Sequence, residues 1–150
     1  MPWTVEVLVA DVQLVKRDPI TGVLTIGMSR PPSYVSGINF LVQIVVLEIL
    51  SSPGRDINDP GGGANLRSLV GANVAFDDES EVFAEVKMII KTAETNIKER
   101  QNNANRPSNE QLAKLELLDI VPDEENLQLE IILRIVSMDQ QDTQAIVGLK

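Results

Sequence analysis

Glu48, Asp56 and Asp59 come nearest to a catalytic set in this chain. Two carboxylates can cleave a glycosidic bond when one, with a raised pKa, protonates the leaving oxygen and the other attacks or activates water. That chemistry needs a cleft, and sugar-binding clefts usually offer aromatic rings for stacking. The chain has one Trp, one Tyr and three Phe. Carboxylates are more often helix caps or solvated surface than catalysts. With no histidine, the commonest general base and transition-metal ligand is missing. With no cysteine, disulfides, thiolate metal sites and thiol nucleophiles are excluded.

The run Asp56 to Asn65 contains Asp and Asn with glycines, as calcium loops do. It lacks the full ligand spacing that ends in a bidentate Glu, so an Asx-capped turn is the expected reading. Gly61-Gly62-Gly63 lacks the Gly-Lys-Ser/Thr ending of a phosphate loop. Arg55 beside Gly54 either pairs with a nearby acid or anchors the loop to a neighbouring subunit, where a planar guanidinium makes bidentate contacts. No catalytic residue, metal site or cofactor is expected.

The whole composition agrees with a scaffold. The chain has 150 residues, enough for a single domain with its own core. Hydrophobic residues make up 43% and aromatics 3%, so that core must be aliphatic. A net charge of −9 repels phosphate backbones and anionic lipid, so neither nucleic acid nor membrane is expected as a partner. Met1-Pro2-Trp3-Thr4 is not the start of a signal peptide, which needs a basic region and then an apolar one. The most apolar run, 40–50, is too short and too polar to span a bilayer. These features predict a soluble protein made in the cytoplasm.

The elements that would carry any function can be read in order. Val5 to Val15 and Val23 to Met28 are β-branched runs around Asp18-Pro19 and Gly22, which predicts an N-terminal β-hairpin. Successive apolar residues predict that the hairpin is covered on both faces, by this chain or by a partner. After Arg30-Pro31-Pro32-Ser33, the stretch Ile38 to Leu50 reads as a helix by its length, although its β-branched residues Ile44, Val45, Val46 and Ile49 would equally suit a buried strand. Phe40, Leu41, Ile44, Val45 and Leu47 share its apolar face, and Gln43 and Glu48 are expected to point away. Residues 51–63 read as a loop and 64–70 as a short helix. Asp77, Asp78, Glu79 and Glu81 suit a helix N-terminus. Val82, Val86, Ile89, Ile90, Ala93 and Ile97 behind them form one apolar stripe of a long helix. Ser108 to Gln111 has capping-box spacing, which predicts the start of a short helix. Leu115 to Val121 and Leu127 to Met138 read as strands around an acidic turn. The tail, 139–150, ends in an apolar segment that reads either as a short strand or as a docking arm. The predicted fold is α+β in a single domain, 1–150: two or three helices packed on an antiparallel C-terminal β-hairpin, plus the N-terminal hairpin as an extension over 1–30.

The order of motifs is more specific than any one of them. An apolar helix leads into Ser52-Pro53-Gly54-Arg55, then Asp59-Pro60 with three glycines, then Leu66 and Leu69. A long amphipathic helix ends near Glu99-Arg100, and two strands joined by an acidic turn follow. Over residues 38–138 this order resembles the sheath-initiator, or baseplate-wedge, family of contractile phage tails and related contractile injection systems. That family has a Gly-Arg loop, an Asp-Pro turn, a Glu-Pro-Arg motif closing the long helix and a final β-hairpin. Here Glu99-Arg100 lacks the intervening proline, 101–114 is an insertion, and the hairpin 4–28 has no counterpart in the family pattern.

The resemblance implies a non-enzymatic virion subunit of the tail baseplate, made in host cytoplasm, with six copies around the tail tube. Its partners would be the sheath protein, the wedge proteins and the tube or hub proteins. By position, Glu99 and Arg100 would contact the wedge, and Gly54, Arg55, Asp59 and Pro60 would form a contact loop. The strands bearing Leu115, Leu117, Leu127, Leu129, Ile131, Leu133 and Ile135 would face the sheath and accept strands from sheath arms. Two other readings of the residues stay open. A cell-wall glycan hydrolase would lose turnover on Glu48→Gln or Asp56→Asn. An acidic cytoplasmic adaptor would bind a basic partner and fail to co-assemble with sheath.

Overall fold

The computed structural model describes residues 11–27, 33–50, 79–102, 105–123 and 128–149. Its elements are β1 (Asp11–Val12), β2 (Val15–Arg17), β3 (Val23–Ile26), β4 (Tyr34–Val35), helix α1 (Ile38–Leu50), helix α2 (Glu79–Gln101), a 3-10 turn (Ser108–Glu110), β5 (Leu112–Asp123), β6 (Gln128–Ser137) and β7 (Asp142–Leu149). Strands β2, β3, β5, β6 and β7 form a mixed five-stranded sheet in the order β2-β3-β7-β6-β5, and β1 pairs with β4 in a separate ribbon. The class is α+β, with two helices packed on the sheet.

The alternation of β6 sets the layering. Leu129, Ile131, Leu133 and Ile135 are buried on one face, joined by Ala145 and Val147 of β7. Both helices cover that face. α1 contributes Leu41, Val45, Val46 and Ile49, and α2 contributes Val82, Val86, Ile90, Ala93 and Ile97. The stripe read in α2 is therefore its core face, with Ile89 half-buried beside it. On the opposite face of the sheet, Arg134 spans three strands. Its guanidinium bonds Asp142 of β7 at 2.7–2.8 Å and Glu116 of β5 at 3.2 Å.

Among the described residues the N-terminal hairpin is β2 paired with β3; residues 5–10 and 28 of the expected strands lie outside them. Val15, Lys16 and Arg17 pair with Ile26, Thr25 and Leu24. The turn uses the chemistry read in the sequence: Asp18 Oδ1 accepts the amides of Ile20 and Thr21, and Gly22 takes φ +74°. The first strand does not run continuously into residues 11 and 12, because Gln43 of α1 binds the backbone there. Its Oε1 accepts the Leu14 amide at 2.8 Å, and its Nε2 donates to the Val12 carbonyl at 3.1 Å. Within this chain, one face of the described strands is covered and the other is open. Val15 and Leu24 are buried, whereas Lys16, Thr25 and Ile26 are exposed.

Three further expectations are corrected. Gln43 and Glu48 do not point away from the core; they are 5% and 3% exposed. α1 is wrapped nearly all round, and each of these polar side chains is buried with bonding partners. A short helix does start at Ser108, as a 3-10 turn, but without the capping box: Pro107 is the N-cap, with no side-chain cap bond, and Gln111 closes the turn. A single 3-10 turn is too short for the reciprocal pair, and Gln111 Nε2 instead donates to the Arg106 carbonyl. The tail is an inner strand rather than a docking arm. β7 runs antiparallel to β6 and parallel to β3, so the C-terminal hairpin becomes a three-stranded meander joined to the N-terminal one. The short helix expected over 64–70 lies outside the described residues.

Candidate functional site

The two strands expected to accept a partner differ in what they can offer. β6 is bonded to β5 on one side and β7 on the other, so it has no free edge. Leu129, Ile131, Leu133 and Ile135 point into the core and cannot face a partner. Leu115 is also buried, Leu117 packs against the core, and Leu127 lies outside the described residues. The correction follows from sheet order: once β7 enters the sheet, the edge passes to β5. Twelve residues long, β5 has a strand neighbour on one side only among the described residues.

Helix α2 holds the start of that edge. Gln101 Nε2 donates to the Leu112 carbonyl at 2.9 Å and its Oε1 accepts the Leu112 amide at 2.7 Å, as a neighbouring peptide group would. Glu94 Oε2 accepts the Leu115 amide at 2.9 Å, while Oε1 pairs with Lys98 at 3.3 Å. The Leu115 amide thus points away from β6. In antiparallel pairing, Leu117 two residues on has its amide on the same outer side. A bulge follows at Leu118, which leaves that side chain exposed. Beyond it, Asp119 Oδ1 accepts the Ile120 amide and Pro122 has no amide to offer. The edge is held at its start and blunted at its end, with an accessible step around Glu116–Leu118.

A groove of about 530 Å³ runs beside this step, between α2 and β5. Phe83 and Leu118 supply apolar walls, each about 40% exposed, and Lys87 and Lys91 stand on the helix side. Glu116 at its lip bonds Lys114 and Arg134, and these cations hold its carboxyl below the ordinary Glu range. Asp142 is lowered likewise by Arg134.

The predicted wedge contact is placed at the C-terminus of α2. Glu99 is exposed there, while the half-exposed Arg100 turns inward to pair with the buried Glu48. Asn96 Nδ2 donates to the other oxygen of Glu48 at 2.9 Å. Glu48 is therefore bound within an inter-helix polar cluster, with a cation and an amide among its partners. Nearby, Arg106 sits 4.2 Å above the Phe40 ring and 3.2 Å from the buried Glu110. Gly54, Arg55, Asp56, Asp59 and Pro60 lie outside the described residues. Among the described residues, no three carboxylates gather as a metal site would require, and no helix is long and apolar enough to cross a membrane.

Sequence reading missed the residues that shape the edge: Glu94, Gln101, Phe83, Lys87 and Lys91. Phe83, Lys87 and Lys91 do recur at i, i+4 and i+8, a second face of α2 flanking the core stripe. No protein-family model matches the chain, and no curated protein matches it either.

Proposed function

We propose that this protein is a structural, non-enzymatic subunit of a contractile phage-tail baseplate that seeds the sheath around the tail tube. The reading rests on the ordered motifs of residues 38–138 and on one structural observation: the long edge strand β5, bonded on one side only among the described residues. Strand addition draws on main-chain groups rather than on particular side chains, which suits a lattice subunit that must accept the same arm at every position. Because α2 occupies the edge at Leu112 and Leu115, addition is assigned to the part of β5 from Glu116 onward. The exposed Glu99 and the outer part of Arg100, at the end of α2, are assigned to the wedge proteins.

Purified tails test this proposal. The expected result is the chain in baseplate fractions, in six copies per particle, with sheath assembly failing when its gene is deleted. Tails that lack the chain, or sheaths that assemble normally without it, overturn the proposal. The hydrolase reading would instead require glycan turnover lost on Glu48→Gln.

A further inference from the structure

The groove between α2 and β5 has a charge that the rest of the chain does not predict. The protein carries 22 acidic and 13 basic residues, yet Lys87 and Lys91 stand in this groove with no carboxylate paired to either among the described residues. The acids beside them are already engaged: Glu94 by Lys98 and the Leu115 amide, Glu116 by Lys114 and Arg134. Like charges at i and i+4 on a helix repel, so this pair costs stability until an anion sits between them. Phe83, one turn before Lys87, and Leu118 on the bulge offer apolar contacts. The outward side of Leu117 offers the backbone.

We infer that this groove binds an extended, acidic segment of a partner chain, its backbone on β5 at Leu117, its carboxylates on Lys87 and Lys91, and an apolar side chain between Phe83 and Leu118. The inference rests on the strand-addition reading above and names the chemistry of the arm that is added. An extended strand turns every second residue to one face, so the residues facing α2 must themselves combine an apolar side chain for Phe83 with acidic ones for Lys87 and Lys91. A basic or neutral segment gains the backbone contact without the lysines.

The test uses the full chain and three synthetic probes: a capped nonapeptide of Val and Glu, with Val, Glu, Glu and Val at its second, fourth, sixth and eighth positions and Thr between them, its Val and Lys counterpart, and an N-methylated Val and Glu version. Amide chemical shifts locate binding and give Kd. The Val and Glu peptide is expected to shift Phe83 to Glu94 and Lys114 to Leu118, and N-methylation to weaken it. The double variant Lys87→Glu/Lys91→Glu is expected to bind it about tenfold more weakly, since two rim ion pairs become repulsions. Equal affinity for the Val and Lys peptide, an unchanged Kd in the double variant, or no binding overturns the inference. So does self-association through the same amides, which would make a second copy the occupant. Recovery of the chain in tails is scored separately. A tail-resident chain that ignores the acidic peptide refutes the groove alone, and peptide binding by a chain absent from tails refutes the baseplate role alone.

Discussion

Replacing Arg100 by Met removes the cation from a carboxylate that is 3% exposed. Breaking a fully buried ion pair from one side costs about 3–5 kcal/mol, because the remaining charge stays desolvated. The Arg100 side chain is 45% exposed, so water reaches its side of the pair and lowers that cost. The expected loss for Arg100→Met is about 2–3 kcal/mol. Glu48→Gln behaves differently. The amide oxygen still accepts from Asn96 and no buried charge remains at position 48, so the loss is smaller, about 1–2 kcal/mol. In the double variant no charge is left buried, and its stability should exceed that of Arg100→Met alone by about 1 kcal/mol. Urea unfolding of the four proteins measures this cycle directly. If Glu48→Gln costs as much as Arg100→Met, or if the two losses add, the cluster is not organised around a buried Glu48 charge and the reasoning fails.

Four further outcomes are expected. Gln101→Ala leaves the amide and carbonyl of Leu112 without their side-chain partner, costing about 1–3 kcal/mol, and should speed hydrogen exchange at Leu112 first. Leu133→Ala, at the centre of the buried face, should cost about 2–5 kcal/mol in chemical unfolding, whereas Leu118→Ala should stay within about 0.5 kcal/mol. Gly148→Ala would set a Cβ 2.6 Å from Cγ1 of Val23, a β-branched side chain with little room to turn, so β3 should detach from β7, read as lost amide protection at Leu24. Glu116 and Asp142 have lowered pKa values when folded, so the unfolded chain binds more protons as the medium turns acid. Their contribution is complete above the ordinary carboxylate pKa and fades as pH falls through the folded values, so Tm should drop with acid and drop less steeply in Arg134→Gln.

What could be read from the sequence was what local periodicity encodes. The stripe from Val82 to Ile97 fixes α2 because five of its six members meet one surface, and the alternation from Leu129 to Ile135 fixes β6 because the other face carries Glu130 and Arg134. Periodicity failed where distant partners decide. Gln43 and Glu48 look like a solvent face until Val12, Leu14, Asn96 and Arg100 are brought around α1. The segment Ala145 to Leu149 is too short to choose between strand and arm. Its place between β6 and β3 depends on a parallel pairing more than 120 residues apart, Val23 with Ile146. The edge strand was named as part of a pair, but which member carries the edge depends on where β7 inserts. Glu94 and Gln101 gave no signal, since a polar residue on a helix reads the same whether it meets water or the backbone of Leu115 and Leu112.

The central claim is that β5 is a docking edge in an assembled tail. A density map of the intact tail particle tests it most directly. The account predicts six copies of this fold around the tube, each with a strand from a sheath subunit lying along β5 from Glu116 and with the end of α2 against a wedge protein. A map in which this chain is absent, or in which the outer side of β5 faces solvent in every copy, contradicts it.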